Sequence, residues 1–98
     1  MDKNKQSLKT IFAEALEYYR KKDFKTAEIF CYKILGINPN HFDSLSLLSN
    51  LFAINKNFDK AKGFLEKATK IQPENLTILN NLGTAYKELG KTDKGITF

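Results

Sequence analysis

The chain repeats itself every 34 residues. Pro39 and Pro73 lie 34 residues apart, and most of the sequence can be overlaid on itself at that offset. Identical residues at this offset include the pairs Ala27 and Ala61, Lys33 and Lys67, Leu45 and Leu79, Leu48 and Leu82, and Asp59 and Asp93. A fixed period of this length indicates stacked supersecondary units rather than one closed globule. Such stacks mostly provide surfaces that bind partners.

The repeated unit has the pattern of two amphipathic helices joined by a short polar break. In the second unit, apolar and small residues recur three and four positions apart, which is the spacing of one helix face. They are Leu45, Leu48 and Phe52, followed by Ala61, Phe64, Leu65 and Ala68. No strand-type alternation competes with this pattern. The predicted units are 8–41, 42–75 and an incomplete 76–98, which follow a polar N-terminal segment, 1–7, within a single domain, 1–98.

Helix boundaries follow from residues that favour turns and caps. Polar breaks separate the paired helices at 21–23, 55–57 and 90–91. Gly90 can adopt a left-handed conformation and end a helix, so six helices are predicted, the last very short. Pro39 and Pro73 cannot continue a helix and mark the ends of the first two units. The predicted N-terminal caps are Ser7, Asn40 and Asn75.

Composition and charge disfavour several kinds of partner. The net charge is +5, and 15 of the 16 basic residues are lysine. Proteins that recognise nucleic acid commonly contact bases and phosphates through the planar guanidinium groups of arginine. Arg20 is the only arginine here, so nucleic acid is a disfavoured partner. No apolar run is long enough to span a bilayer, and the N-terminus lacks the apolar stretch of a signal peptide. We therefore expect a cytoplasmic protein without a membrane partner.

In this register the residues resemble the tetratricopeptide repeat, over residues 8–98. That family's helix–turn–helix unit carries large and small residues at fixed positions and ends near a proline. The second unit matches it with Leu45, Leu48, Ser49, Phe52, Ala61, Leu65, Ala68 and Pro73; the third with Leu79, Leu82, Gly83 and Tyr86; and the first with Ile11, Ala15, Tyr18, Ala27, Cys31, Ile34 and Pro39. The resemblance implies an all-α fold, a right-handed α–α superhelix of about two and a half stacked repeats.

Close helix packing accounts for these residue types. The small residues expected to let paired helices approach are Ala15, Ser49 and Gly83 on the first helix of each unit, and Ala27 and Ala61 on the second helix. The large residues expected to fill the space between units are Tyr18, Phe52 and Tyr86. The third unit stops early, so we expect the apolar side formed by Leu82, Leu89 and Ile96 to be poorly covered. Exposed apolar surface of this kind favours self-association, and a homodimer through the incomplete C-terminal repeat is predicted.

The resemblance also implies that the first helix of each unit lines a concave groove. The predicted groove residues are Phe12, Leu16 and Tyr19 in the first unit, Asp43, Ser46 and Asn50 in the second, and Thr77, Asn80, Asn81, Thr84 and Lys87 in the third. Amide side chains carry donors and acceptors, so Asn50, Asn80 and Asn81 can pair with the backbone of an extended peptide. The three residues of the first unit would hold an apolar side chain.

Structural explanations compete with these roles. The apolar trio can instead be covered by the N-terminal segment or by another protomer, and the asparagines can be ordinary surface residues. Some family members bind C-terminal carboxylates through a clamp of Lys, Asn and Arg. The matching positions here hold Phe12, Leu16, Leu47, Thr77 and Asn81. That clamp is absent, so a C-terminal carboxylate ligand is disfavoured.

No arrangement in the sequence indicates catalysis. His41 is the only histidine, and a general base there would need partners and a pocket. Cys31, the only cysteine, lies in an apolar helical stripe and is expected to be a small buried hydrophobe. One cysteine and one histidine do not make a zinc site. We predict that the chain is not an enzyme and uses no cofactor or metal.

The predicted function is a protein–protein interaction module that binds an extended peptide or a partner protein in the concave groove. One alternative is the N-terminal, substrate-recruiting segment of a larger glycosyltransferase or sulfotransferase, because the run from Leu47 to Gly83 resembles repeat arrays that precede such bacterial domains. Binding of RNA by a basic helical stack is a weaker alternative, for which the affinity would fall steeply with salt.

Overall fold

The structure, a computed structural model, describes residues 3–97 and the side chains of residues 8–91. Residues 3–97 form five helices and no strand: α1 Lys3–Arg20, α2 Phe24–Ile37, α3 Phe42–Ile54, α4 Phe58–Ile71 and α5 Leu76–Thr97. Each helix packs against the next in chain order. The result is an elongated stack of 57 × 29 × 20 Å, which confirms the predicted all-α repeat architecture. Within the described range, no helix combines the length and apolar character needed to cross a membrane.

Side-chain caps set the starts of four helices, three of them through an aspartate or asparagine side chain. Asp23 starts α2 by accepting a hydrogen bond from the backbone N–H of Thr26 (3.3 Å), and Asn57 has the same role for α4. Asn75 starts α5, as predicted, by accepting from the N–H of Ile78 (3.1 Å). Such bonds satisfy an N–H group that a helix start leaves without an intrahelical partner.

Two other predicted caps are wrong. His41 rather than Asn40 caps α3, because its Nδ1 accepts a hydrogen bond from the N–H of Ser44 (3.2 Å). The N–H of Asn40 instead donates to Oδ1 of Asn38 (3.1 Å), in a turn closed by a side chain. Ser7 lies inside α1, which begins a full turn earlier. The lysine and glutamine residues that precede Ser7 are good helix formers and extend the helix past it.

The breaks predicted within the first two units are present as tight turns. Their central residues, Lys22 and Lys56, have positive φ angles of 66° and 60°. At the first turn, the N–H of Asp23 donates to the carbonyl oxygen of Tyr18 (2.9 Å) and that of Lys22 to the carbonyl oxygen of Tyr19 (3.0 Å). This pair of bonds is the Schellman motif, which ends a helix at a residue in the left-handed conformation.

The third predicted break is absent. α5 continues through Gly90 to Thr97 as one helix of 22 residues, so the described chain has five helices where six were predicted. Gly90 aligns with Lys22 and Lys56 in the repeat but does not share their positive φ. Glycine permits a left-handed turn without requiring one, and adding turns to an existing helix costs less free energy than nucleating a new helix.

Small buried residues let the paired helices of the first two units approach, as predicted. They are Ala15, Ala27, Ser49 and Ala61. The hydroxyl of Ser49 donates to the carbonyl oxygen of Ser46 (2.6 Å), so this buried polar group is hydrogen-bonded. Gly83, the corresponding residue of the third unit, is different, because a Cβ atom added to it would meet nothing within 4 Å.

Aromatic rings pack in equivalent pairs in the first two units. The pairs are Tyr18 with Phe30, at 5.5 Å between ring centroids, and Phe52 with Phe64, at 5.7 Å. The prediction that Tyr86 also fills a space between units is wrong, since half of this residue is exposed. Its hydroxyl donates to the carboxylate of Glu66 (2.6 Å). Among the predicted uncovered residues, Leu82 and Leu89 are half-buried, and the side chain of Ile96 lies outside the described residues.

Candidate functional site

A small cleft lies between α3 and α5, with α4 as its floor. Its volume is about 80 Å³, and none of its lining residues is charged. The lining residues are Ser49, Asn50, Ala53, Phe58, Ala61, Leu65, Asn81, Thr84 and Ala85. We call this feature the central cleft.

Three of the predicted groove residues meet in the central cleft. Asn50 comes from α3, and Asn81 and Thr84 come from α5. Among the described residues, the amide groups of Asn50 and Asn81 have no hydrogen-bond partner. Thr84 donates its hydroxyl hydrogen to the carbonyl oxygen of Asn80 (3.1 Å), which leaves the hydroxyl oxygen as an acceptor. The cleft therefore presents two available amides and one available acceptor on an otherwise apolar lining.

The other predicted polar residues lie on helix surfaces outside the central cleft. Asp43, Thr77, Asn80 and Lys87 are exposed, and Ser46 is half-buried. They belong to α3 and α5, the same two helices that border the cleft. A ligand longer than the cleft would be needed to contact them, because the structure does not gather them into the cleft itself.

The apolar trio of the first unit packs against the core. Phe12, Leu16 and Tyr19 are half-buried and contact the buried cluster. The ring of Phe12 lies 5.6 Å from the ring of His41, and the ring of Tyr19 lies 5.7 Å from that of Phe24. These contacts hold α1 against the starts of α2 and α3. The trio therefore has a packing role, and the apolar pocket predicted for it stays a prediction.

The floor of the central cleft was not predicted from the sequence. α4 supplies this floor through Phe58, Ala61 and Leu65, whereas the groove was predicted from the first helices of each unit alone. The signal available in the sequence is the coincidence of small residues on three successive helices, Ser49, Ala61 and Ala85. Small side chains at a shared junction bring the helices close and also leave room for a ligand group between them.

The described side chains offer binding chemistry rather than reaction chemistry. No group of three His, Cys, Asp or Glu residues comes together among them to hold a metal ion. Cys31 is fully buried in α2, as predicted. Burial raises the pKa of its thiol to about 12, with a further contribution from the carboxylate of Glu28. The thiol is therefore neutral at physiological pH, and it packs as a small hydrophobe instead of acting as a nucleophile.

Comparison with protein families supports the repeat register. One sequence profile of the tetratricopeptide repeat matches residues 8–41 and 42–75, and a second profile of the same repeat matches residues 64–97. The chain belongs to the tetratricopeptide repeat family. Tetratricopeptide repeats form helical scaffolds for protein interaction, so this chain is a protein-interaction module.

Related tetratricopeptide repeats occur in glycosyltransferases. Over 86 residues, the chain is 30% identical to the probable UDP-N-acetylglucosamine–peptide N-acetylglucosaminyltransferase of Arabidopsis thaliana and 28% identical to the UDP-N-acetylglucosamine–peptide N-acetylglucosaminyltransferase of Caenorhabditis elegans. Each match covers 88% of this chain but only 9% and 8% of the two relatives. The chain therefore spans less than a tenth of the length of these relatives.

Solved structures share the fold of these tetratricopeptide repeats. A variant of the O-GlcNAc transferase of Thermobaculum terrenum superposes with a TM-score of 0.86 at 27% identity, over 99% of this chain and 19% of that chain. The C-terminal TPR-containing domain of an FK506-binding protein of Plasmodium falciparum gives 0.82 at 26% identity, over 94% and 61%. Because these two proteins are named for different activities, the likeness shows a common scaffold and does not select one reaction.

Proposed function

We propose that the tetratricopeptide repeats of this chain bind an extended peptide in the central cleft and along the helices that border it. The observation that carries this proposal is the pair of unpaired amides, Asn50 and Asn81, facing one uncharged cleft. An extended peptide presents backbone N–H and C=O groups along its length, and one amide side chain can bond to both kinds of group. Asn80 adds a further exposed amide next to Asn81.

The lining favours recognition of backbone over recognition of charge. An uncharged cleft cannot compensate a buried carboxylate or ammonium group, which agrees with the absence of the carboxylate clamp from the sequence. A volume of about 80 Å³ accommodates a stretch of backbone or a small side chain. A larger apolar side chain would instead contact the half-buried surface of Phe12, Leu16 and Tyr19, at the first unit.

Substitution of the two amides tests this proposal. A peptide-array screen supplies a ligand, whose affinity is then measured by fluorescence anisotropy. Asn50→Ala and Asn81→Ala should each weaken binding about fivefold to tenfold, because each removes a hydrogen bond to the peptide backbone. Asn40→Ala is the matched control, since Asn40 is an exposed asparagine in the turn between α2 and α3, and it should leave the affinity unchanged. Equal affinities for all three variants and the wild type would remove the proposal.

A second candidate is a substrate-recruiting segment of a larger glycosyltransferase. The similarity to the peptide N-acetylglucosaminyltransferases favours this reading, and the central cleft would then position a protein substrate for chemistry elsewhere. Genomic or transcript sequence around the codon of Phe98 tests it. A continuous reading frame that encodes a transferase domain would support the candidate, and a stop codon directly after Phe98 would exclude it.

The remaining expectations concern location and other partners. We expect a cytoplasmic protein whose repeats catalyse no reaction and do not bind nucleic acid. RNA binding would appear as an affinity that falls steeply with salt, and a flat or absent salt response would exclude it. The homodimer through the third repeat stays a prediction from the sequence, and light scattering after gel filtration over a range of concentrations tests it.

A further inference from the structure

A pocket lies between α2 and α4, the second helices of the first two units. Its volume is about 290 Å³, and its lining residues are Tyr32, Lys60, Gly63, Phe64 and Lys67. Tyr32 comes from α2, and the others lie on one face of α4, at spacings of three and four residues. We call this feature the α2–α4 pocket. It shares no lining residue with the central cleft, so the two are separate sites.

Both walls of the α2–α4 pocket belong to the interior of the stack. α4 turns its opposite flank toward the third unit: the Nζ of Lys62 lies 5.8 Å from the ring centroid of Tyr86, and Glu66 accepts a hydrogen bond from the hydroxyl of that tyrosine (2.6 Å). Each unit of a repeat stack contacts only its neighbours, so further repeats would pack at the ends, against α1 or α5. They would leave the joint between α2 and α4 as it stands.

Aromatic rings form one wall of the α2–α4 pocket. Phe64 is half-buried and stacks on Phe52, with 5.7 Å between ring centroids and 11° between ring planes. The ring of Tyr32 lies 6.3 Å from that of Phe64. Tyr32 is nevertheless 42% exposed, and among the described residues its hydroxyl has no hydrogen-bond partner. The wall therefore combines apolar ring surface with one available polar group.

Two ammonium groups border this wall on α4, and no carboxylate is among the lining residues. Lys60 and Lys67 are exposed, and their separation along the helix axis is about 10 Å. Neither has an ion-pair partner among the side chains of residues 8–91. The Nζ of Lys60 lies 5.3 Å from the ring centroid of Phe52, and this cation–π contact holds it at the pocket side of α4. The pocket therefore presents uncompensated positive charge beside aromatic surface.

On the α2 side, the charge that acts on the pocket is negative. Burial raises the pKa of the Tyr32 hydroxyl, and the carboxylate of Glu28, one helical turn earlier, raises it further. The adjacent Lys33 lies instead over the ring of Phe30, with its Nζ 5.6 Å from the ring centroid. A ligand would therefore place its anionic groups on the α4 side of the pocket, beside the two lysines.

Gly63 keeps the pocket open between the two lysines. It is exposed, and an added Cβ atom would meet nothing within 4 Å. A side chain at this position would share a helix face with Lys60, three residues before it, and Lys67, four residues after it. It would therefore project into the pocket and close it to a ligand without meeting the core.

We propose that the α2–α4 pocket binds an acidic peptide segment of a partner protein, in which one large apolar side chain is flanked by glutamate or aspartate. The apolar side chain would lie against the rings of Tyr32 and Phe64, and the flanking carboxylates would pair with Lys60 and Lys67. A volume of about 290 Å³ is at the small end of ligand pockets, which suits one side chain. The lysines are separated by the length of roughly three extended residues, so carboxylates on both sides of the apolar residue can reach them.

Charge disfavours the other occupants. The chain has a net charge of +5, and its N-terminal segment, 1–7, carries two lysines and one aspartate. Both a second copy and this segment would therefore bring further positive charge to the pocket. RNA is an anion, but grooves that bind single strands follow many successive phosphates with a continuous basic track, whereas two lysines line this pocket. RNA is a competing outcome of the test.

A fluorescently labelled peptide with one phenylalanine between two pairs of glutamates is the probe for this site. Its binding to the full chain is measured by anisotropy at low ionic strength, where exposed ion pairs are least screened. The peptide should bind saturably, and alanine in place of its phenylalanine should weaken binding about tenfold, because contact with the rings is lost. Lys60→Gln combined with Lys67→Gln should weaken binding about fivefold to tenfold, because both ion pairs are lost.

Matched substitutions separate the pocket from overall charge. Lys62→Gln combined with Lys70→Gln removes the same charge from the opposite flank of α4, and it should leave binding unchanged. Gly63→Leu should abolish binding by filling the pocket, while circular dichroism shows a helical signal at least equal to that of the wild type. Gly83→Leu, at a glycine of α5 that also has open space, should leave binding unchanged. So should Asn50→Ala, which tests the central cleft independently.

Four results would overturn the proposal. They are no saturable binding by the wild type, equal losses in the two double lysine variants, full binding by the Gly63→Leu variant, and full binding by the alanine peptide. If Gly63→Leu fails to fold, the two lysine variants decide the question. An oligouridine that displaces the peptide, and whose own affinity falls only in the Lys60→Gln, Lys67→Gln variant, assigns the pocket to nucleic acid and also overturns the proposal.

Discussion

Lys22 and Lys56 occupy the same position in successive repeats, and both have a left-handed backbone, with φ of 66° and 60°. This conformation costs a residue with a Cβ atom about 1–2 kcal/mol, whereas glycine adopts it readily. Glycine also gains entropy in the unfolded chain, which offsets part of the benefit. We predict that Lys56→Gly raises the free energy of unfolding by about 0.5–1 kcal/mol, as measured by urea denaturation.

The control for this residue-scale prediction is the same substitution in a helix. Lys67 lies in the interior of α4 and is exposed, so Lys67→Gly removes the same charge where φ is helical. It should lower the free energy of unfolding by about 0.5–1 kcal/mol, since glycine is a poor helix former. The two variants should therefore shift stability in opposite directions. A loss of stability in both would show that the lysine side chain, rather than the backbone angle, matters at position 56.

At the scale of helices, the sequence predicted which segments form helices better than it predicted the residues at which the helices begin and end. The apolar spacing from Leu45 to Ala68 predicts α3 and α4 because a helix in a protein is stabilised mainly by burial of an apolar face. That face appears directly in the sequence as apolar residues three and four positions apart. Gly90 predicted a break on equally good local grounds, but glycine permits a left-handed turn without requiring one. Whether the turn forms depends on a second helix that packs back, and that is a tertiary property.

The continuity of α5 can be tested with one methyl group. Gly90 lies inside the helix, and an added Cβ atom would meet nothing within 4 Å. Gly90→Ala should therefore raise the free energy of unfolding, by at most about 1 kcal/mol, and increase the helical signal in circular dichroism. Gly83→Ala, at another helical glycine with open space, should act in the same direction. If residue 90 instead adopted a positive φ, as in the six-helix prediction, Gly90→Ala would be destabilising while Gly83→Ala would not.

For the molecule as a whole, the sequence predicted the groove helices but only part of the candidate site. Asn50, Asn81 and Thr84 follow from the position of each residue within its own repeat, and they do meet in the central cleft. Phe58 and Leu65 could not be predicted in this way, because the floor depends on how far α3 and α5 separate over α4. That distance is set by packing between units, which the period alone does not specify.

Equivalent side chains in successive repeats differ in burial along the stack, so they should contribute differently to the free energy of unfolding. Leu45 is buried between α3 and its neighbours, whereas Leu79, at the equivalent position of the third unit, is more than one third exposed. Leu45→Ala should lower the free energy of unfolding by about 2–5 kcal/mol, since it leaves a cavity in a packed core. Leu79→Ala should lower the free energy of unfolding by less than about 1.5 kcal/mol, because solvent already reaches the site.

Urea denaturation of both variants at low protein concentration measures this difference in the free energy of unfolding. Equal losses would mean that α5 is covered in solution, and a loss at Leu79 that appears only at high protein concentration would identify the cover as a second copy.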